Sequence, residues 1–186
     1  MLDPSADQVR DWGNSVVQLV TNYLSDLRDR KVYRQMSSSE IRDRLDPALP
    51  IKGADFDTLL KTFRETIIPF SRQNAHPRMF GYVQSPGTAL AAFADLLAST
   101  LNANLTAWRS APAAVEIERL TIDWIRQILG FNSEAGGLFV SGGSIANLAA
   151  LAAARQTKIG SLGKLRIYAS TETHHSIAKA AALLGI

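Results

Sequence analysis

The chain has 186 residues, of which 46% are hydrophobic and 20% are charged, and its formal net charge is +3. This length can bury a core in one large or two small domains. The basic and acidic residues are interleaved, which excludes the basic stripe of a typical nucleic-acid-binding protein. The chain has no cysteine, so disulfides and thiolate metal sites are excluded, and we predict no metal site. No apolar run approaches the roughly 20 residues that span a bilayer, and no signal-peptide pattern is present. We therefore expect a cytoplasmic protein without a membrane partner.

The first 75 residues predict three helices, each with a broad apolar face. The first helix is predicted to begin at Asp3, with its side chain as the cap and a proline in the first turn. Ser37 and Glu40 have capping-box spacing and predict the start of the second helix. The third is predicted to begin near Asp55. Three such helices cannot cover one another, so either the rest of the chain or a partner subunit is expected to cover them.

From residue 76 onwards, predicted helices alternate with predicted strands. The predicted elements are an apolar helix over about 88–103, a long helix capped by the segment Ser110-Ala-Pro112 and ended by Gly130, a strand over 138–140, a helix from Ile145, a strand over 165–169 and a helix over 175–184. This alternation predicts an α/β fold with a parallel sheet and right-handed crossovers.

The turn over 141–144 reads Ser-Gly-Gly-Ser and joins a predicted strand to a predicted helix. The first amides of a helix lack intrahelical partners and lie at its positive end, so they bind phosphate well. Two glycines allow the backbone to approach an anion closely. The turn matches neither a Walker A loop nor a dinucleotide fingerprint, so this spacing alone leaves an ordinary glycine turn open as the alternative.

The segment 170–174 follows the second predicted strand and ends in His174. In open α/β sheets, ligands bind beyond the carboxyl ends of the strands. The pattern therefore predicts the glycine turn and His174 on one rim. A polar surface histidine is the simpler alternative when His174 is considered alone.

Four segments in chain order carry a family resemblance: His-Pro-Arg-Met-Phe-Gly-Tyr at 76–82, Trp-Arg-Ser-Ala-Pro-Ala-Ala-Val-Glu-Ile-Glu at 108–118, Val-Ser-Gly-Gly-Ser-Ile-Ala-Asn-Leu at 140–148 and Ser-Thr-Glu-Thr-His-His-Ser at 170–176. Together they resemble the N-terminal part of the pyridoxal-phosphate-dependent group II amino-acid decarboxylases, which include the aromatic-L-amino-acid, histidine and glutamate decarboxylases. The resemblance implies the aspartate-aminotransferase-like fold, called fold type I. It also implies a helical dimerisation segment over 1–75 and the first part of the cofactor domain over 76–186.

The resemblance also implies what the residues do. The reaction would convert an amino acid into an amine and CO2 through a quinonoid intermediate, with pyridoxal 5'-phosphate as cofactor, in an intertwined homodimer. His174 would stack on the cofactor ring as the catalytic residue, and His175 would be incidental. The remaining implied residues are Gly143, Ser144 and Ser176 for the cofactor, and Tyr82, Ser85, Thr106 and Trp108 for the substrate.

Other polar residues have simpler interpretations. His76 is predicted to be structural, and Glu116 and Glu118 a helix pair without an acid–base role. Arg109 departs from the acidic or small residue that the resemblance implies there, which leaves the substrate class open.

The resemblance further implies a Schiff-base lysine that directly follows a histidine. None of the six lysines of this chain follows one. We therefore expect a fragment that is inactive alone. The alternatives are a non-catalytic dimerisation or phosphate-ligand-binding protein derived from such an enzyme and, with little support, a serine hydrolase using Ser144 and His174, for which no Gly-x-Ser-x-Gly elbow is present.

Overall fold

All of the regular structure is helical in the residues that the structure describes, which are 3–45, 48–83, 85–158 and 165–186 of a computed structural model. The helices are α1 (Ala6–Asp26), α2 (Ser38–Arg42), α3 (Phe56–Thr62), α4 (Ala89–Leu101), α5 (Pro112–Ile128), α6 (Gly143–Lys158) and α7 (Ser176–Leu184). A 3₁₀ turn, Leu27–Asp29, follows α1, and a π-helical turn, Phe63–Ile67, follows α3. Among these described helices, none has the length and apolar character needed to cross a membrane.

The chain divides into two compact units, Met1–Leu97 and Ala98–Ile186. Residues 76–97 therefore group with the leading helices by contact. The predicted functional boundary at residue 75 stays a prediction, because contact density does not assign roles to the two parts.

Local hydrogen bonds decide where the leading helices begin. The prediction that Asp3 caps α1 is wrong, because Ser5 is the cap. The Ser5 hydroxyl accepts from the Gln8 amide at 3.2 Å, and the Gln8 side chain accepts from the Ser5 amide at 2.9 Å. This reciprocal pair satisfies two donors, whereas a single cap satisfies one. The predicted capping box of Ser37 and Glu40 is confirmed at α2.

The predicted start of α3 is also confirmed. Asp55 is its cap and accepts from the Thr58 amide at 2.8 Å. Hydrogen bonds from the Thr58 amide and then its hydroxyl hold the pKa of Asp55 below its ordinary value. At α2, the Ser37 amide and hydroxyl likewise lower the pKa of Glu40. These carboxylates therefore remain charged at the positive ends of their helices.

The first unit is held together by a buried polar cluster. Gln73 is 4% exposed, accepts from the Tyr23 hydroxyl at 2.8 Å and donates to the carbonyls of Ile68 and Ser71 at 2.7 Å. His76 is 3% exposed, its Nδ1 accepts from the Arg78 amide at 2.9 Å, and its Nε2 lies 3.2 Å from the Arg28 carbonyl. These bonds support the prediction that His76 is structural. Trp12 of α1 also stacks on Phe56 of α3 at 5.2 Å.

In the second unit, α5 begins without a side-chain cap. The predicted capping segment Ser110-Ala-Pro112 is confirmed, because Ala111 is the cap residue and Pro112 occupies the first turn. Proline has no N–H, so one fewer donor at this helix end needs a partner. The predicted end at Gly130 is confirmed, since Gly130 has φ +71° just past the helix.

The two predicted strands are not formed among the described residues, where segments 138–140 and 165–169 are irregular. A strand requires ladder hydrogen bonds from a neighbouring strand, and the described backbone supplies none to these segments. Instead, the Phe139 amide donates to the Glu118 carboxylate at 3.4 Å. Leu138 and Phe139 are more than half exposed, as expected for a segment without a covering layer.

Candidate cofactor site at the start of helices α6 and α7

The glycine turn leads directly into α6. Gly142 has φ +156°, a conformation that side-chain-bearing residues rarely adopt, and Gly143 is the first residue of the helix. A Cβ atom at either glycine would meet nothing within 4 Å, so the backbone borders open space. The first turn of α6 carries no acidic residue. The turn is therefore accessible to an anion.

Of the first four backbone amides of α6, the first two remain available for a ligand. Those of Ile145 and Ala146 donate to the Gly142 carbonyl at 3.1 and 3.0 Å. Those of Gly143 and Ser144 have no hydrogen-bond partner within the described part of the chain. Unpartnered amides at the positive end of a 16-residue helix fit a phosphate group.

His174 is tied to α6 through the first residue of α7. The Asn147 side-chain amide donates to the Ser176 hydroxyl at 2.8 Å, and that hydroxyl lies 2.8 Å from His174 Nδ1. The Ser176 amide also donates to Nδ1 at 3.3 Å. Ser176 is 4% exposed, whereas His174 is exposed. Because Asn147 lies about one turn into α6, the N-terminal ends of α6 and α7 lie side by side.

The predicted cofactor residues are therefore brought close together. Gly143 and Ser144 begin α6, while His174 and Ser176 lie at the start of α7, which packs on α6. Two helix N-termini placed together reinforce each other's attraction for an anion. The exposed His174 ring at the same point can offer a flat surface to an aromatic ligand.

His175 contacts His174 directly. The two rings stack with centroids 4.3 Å apart and planes inclined by 28°. His175 therefore covers one face of the His174 ring and leaves the opposite face for a ligand. The family resemblance implied that His175 is incidental, whereas the structure places its ring against that of His174.

The first unit contains two of the predicted substrate residues, Tyr82 and Ser85. Tyr82 has φ +67° and is 79% exposed, and the Arg72 guanidinium lies over its ring, 4.1 Å from the centroid. A positive φ on a tyrosine is strained, and strained residues cluster at functional sites. Ser85 lies at the edge of an apolar groove of ≈ 770 Å³ between α1, α3 and the start of α4.

Thr106 and Trp108, the other predicted substrate residues, belong to the second unit. The Thr106 amide donates to the Asn104 side chain at 2.9 Å, and the Trp108 indole N–H donates to Glu116 at 2.8 Å. Arg119 also donates to Glu116, at 2.9 Å. Among the described residues, no hydrogen bond connects Thr106 or Trp108 to His174. Their roles at the substrate stay predictions.

Glu116 and Glu118 have separate partners. Glu116 bonds Trp108 and Arg119, while Glu118 accepts from the Phe139 amide. These contacts agree with the interpretation that the two glutamates are not an acid–base couple.

Sequence reasoning missed two residues that orient site side chains. Asn147 lies within the segment 140–148 that carries part of the family resemblance. Its hydrogen-bond partner Ser176 is 29 positions away, so no sequence periodicity connects the two residues. Arg72 is ten positions from Tyr82, and only the turn between them brings their side chains together.

Comparisons with known proteins show the family to which the chain is related. Residues 39–186 match the family model described as the pyridoxal-dependent decarboxylase conserved domain. An aromatic-L-amino-acid decarboxylase of Bacillus atrophaeus is 35% identical, over 99% of this chain and 38% of the relative.

Solved structures are similar over the same extent. Oryza sativa TDC with PLP and tryptamine has a TM-score of 0.86 at 30% identity, over 97% of this chain and 42% of that one. Rhodiola rosea 4-hydroxyphenylacetaldehyde synthase has a TM-score of 0.88 at 27% identity, over 98% and 41%. This chain thus spans about two fifths of the length of these relatives. The likeness confirms the relationship to fold type I decarboxylases, while the α/β arrangement itself is not formed in the described residues. With most of its length inside the matched domain, the chain belongs to the pyridoxal-dependent decarboxylase family.

Proposed function

We propose that this chain contributes the phosphate loop and the ring-stacking histidine to a pyridoxal-phosphate-dependent amino-acid decarboxylase, a carboxy-lyase that forms an amine and CO2. The observation that carries the proposal is the bond from Asn147 to Ser176, which places the N-termini of α6 and α7 together beside His174. A phosphate and an aromatic ring joined by a short linker match that pairing of donors and flat surface.

The proposal gives the site residues separate roles in binding the cofactor and the substrate. The amides of Gly143 and Ser144 bind the phosphate, and the face of His174 opposite His175 stacks on the pyridine ring. When bound, pyridoxal phosphate supplies an electron-withdrawing ring that takes up the electrons released as the substrate carboxylate departs as CO2. Ser176 orients His174 through Nδ1. Tyr82, Ser85, Thr106 and Trp108 line the substrate side.

The substrate class remains a proposal of the same kind. An aromatic amino acid is supported by the decarboxylase of Bacillus atrophaeus and by the tryptamine in the Oryza sativa structure. The exposed aromatic ring of Trp108 in the second unit suits such a substrate, since aromatic pairs add about 0.5–1.5 kcal/mol beyond area burial.

The cofactor proposal is tested by titrating the purified chain with pyridoxal phosphate and, as a matched ligand, with pyridoxal, which lacks the phosphate. We expect tighter binding of the phosphorylated ligand and competition by inorganic phosphate. His174→Ala should weaken binding about three- to tenfold through lost stacking, while Glu172→Ala, an exposed change two residues away, should not. Equal affinity for both ligands would contradict a phosphate site.

We also propose that the chain does not decarboxylate alone, because none of its six lysines follows a histidine. Borohydride reduction of the titrated chain, followed by intact mass, is expected to show no adduct on one specific lysine. A stoichiometric adduct on a single lysine would overturn this proposal.

A second proposal concerns the first unit, which we infer to be a dimerisation surface for another copy of the chain. It is supported by the apolar groove and by exposed apolar side chains along it, such as Leu59, which is 58% exposed. Light scattering should give a dimer that Leu59→Glu dissociates. Ile51→Glu, on a 99% exposed residue outside the groove, is the control. A monomeric wild-type chain would contradict this proposal and the non-catalytic dimerisation alternative alike.

The α/β sheet and the cytoplasmic location remain proposals as well. We infer that segments 138–140 and 165–169 become strands when neighbouring strands of a sheet are present, because those strands would supply the ladder hydrogen bonds that both segments lack here. Hydrogen exchange should then show slowed amides in 138–140 within an assembled enzyme and fast exchange in this chain.

A further inference from the structure

The hydrogen-bonding roles around His174 follow from the Asn147 side chain, whose Nδ2 only donates. It donates to the Ser176 hydroxyl oxygen at 2.8 Å, so the hydroxyl proton remains for another acceptor. The neighbouring polar atom is His174 Nδ1, at 2.8 Å. The Ser176 amide points at the same nitrogen from 3.3 Å. Two donors directed at Nδ1 require that it accept, so the neutral ring carries its proton on Nε2.

We propose that Asn147 is a positioning residue that acts through Ser176 to fix the tautomer and the plane of the His174 ring. The proposal deepens the cofactor role given to His174 and rests on it for its functional meaning. Burial favours these bonds, because Ser176 is only 4% exposed and water competes little for a buried hydroxyl. Truncating Asn147 would remove the donor that sets the direction of the serine hydroxyl.

His76 provides an internal reference for this geometry. Its Nδ1 accepts from the Arg78 amide, and its Nε2 lies near the Arg28 carbonyl, so it has the same tautomer with both nitrogens bonded. His174 has no described partner at Nε2 and its ring is exposed. The hydrogen bonds at Nδ1 thus leave the Nε2–H group of the exposed ring without a described partner, and a bound ligand can accept a hydrogen bond from it.

The test is a long-range ¹H–¹⁵N correlation spectrum of the labelled full chain without cofactor. The three histidines are assigned by substituting each with glutamine. We expect His174 of the wild type to show an unprotonated Nδ1 and a protonated Nε2, as His76 does. A protonated Nδ1 in the neutral wild-type ring would overturn the proposal without any further variant at Asn147.

Asn147→Asp is expected to reverse the direction of the hydrogen bond between residue 147 and the Ser176 hydroxyl. A carboxylate only accepts, so the Ser176 hydroxyl turns towards it and presents its lone pairs to Nδ1. We expect the Nδ1-protonated fraction to rise several-fold, because only the longer bond from the Ser176 amide, at 3.3 Å, then favours an accepting Nδ1, while Gln156→Ala, an exposed change on the same helix, leaves the wild-type pattern. An Asn147→Asp spectrum identical to the wild type would overturn the proposal. Far-UV circular dichroism confirms that each variant is folded.

The link to the cofactor is measured separately, by titration with pyridoxal phosphate. We expect Asn147→Ala to weaken binding about fivefold, the scale of one hydrogen bond. It should add nothing in a Ser176→Ala background, because both changes break one pathway. Additive losses would show that Asn147 acts without Ser176 and overturn the proposal. If the wild type fails to bind, the cofactor proposal is wrong, while the spectra still decide the tautomer.

Discussion

Each unit of the chain contains a histidine whose hydrogen bonds and exposure can be compared, His76 in the first and His174 in the second. Both rings accept at Nδ1 from nearby donors. His76 is buried, and a backbone carbonyl lies within hydrogen-bond distance of its other nitrogen, whereas His174 is exposed and has no described partner at Nε2. The first ring thus joins the 3₁₀ turn after α1 to the segment that follows α3. The second keeps one face and one nitrogen available for a ligand.

This difference shows how surroundings assign a role to a histidine. A ring with both nitrogens satisfied inside a unit contributes to stability, and removing it leaves buried partners unpaired. A ring fixed at one nitrogen and exposed at the other contributes little to stability, but it can bind.

The largest predicted effect is therefore on the first histidine. His76→Ala should lower the free energy of unfolding by about 3 kcal/mol, because it leaves the Arg78 amide and the Arg28 carbonyl without their partner. Urea unfolding followed by circular dichroism measures this. His174→Ala is the matched change and should cost less than about 1 kcal/mol. Equal losses of unfolding free energy in the two variants would contradict the difference in role between the two histidines.

A smaller effect is predicted at the glycine turn of the second unit. Gly142→Ala should destabilise by about 1–2 kcal/mol, because alanine is strained at φ +156°. Gly143→Ala is the control and should stabilise by about 0.5–1 kcal/mol, because it replaces a helical glycine and meets no atom within 4 Å.

Opposite signs at these adjacent glycines would support the view that the second unit holds a specific turn conformation at the start of α6. Urea midpoints of both variants provide the measurement. Stabilisation by Gly142→Ala would contradict it.

The smallest predicted effect is a pH dependence at the end of α5. Hydrogen bonds from Arg126, at 2.8 Å, and from Gln127, at 2.6 Å, hold the pKa of Asp123 below its ordinary value of 3.8. A lowered folded-state pKa gives stability that is complete above the ordinary value and lost as the pH falls through the folded one. Asp123→Asn should therefore flatten the acid limb of the stability profile below pH about 4.

Thermal unfolding between pH 2 and 7 would reveal that difference. Identical acid limbs for the wild type and Asp123→Asn would contradict the assignment. In the first unit, hydrogen bonds also lower the pKa of Asp55 and of Glu40, so acid should loosen helix ends in both units.

The sequence predicted best what neighbouring residues decide. The caps at Ser37 and Asp55 and the end at Gly130 depend on contacts within a few positions. The first cap was misplaced because Asp3 and Ser5 compete locally, and only Ser5 has a glutamine three positions later.

What depends on distant residues was predicted less well. The strands over 138–140 and 165–169 need hydrogen bonds from other strands, which an apolar run cannot supply by itself. The residues of the candidate cofactor site come from the family resemblance and stay a prediction, while the bond between Asn147 and Ser176 spans 29 positions. The strain at Tyr82 also lies outside any periodic pattern, because φ is set by the turn around it.

The stack of Trp12 on Phe56 allows tryptophan fluorescence to follow the packing of α1 on α3 separately from the second unit. Trp12 is the one tryptophan of the first unit, while Trp108 and Trp124 belong to the second. Replacing the latter two with phenylalanine leaves an emission spectrum that reports only on whether α1 and α3 remain packed. Unfolding of the leading helices can then be timed separately from events at the cofactor site.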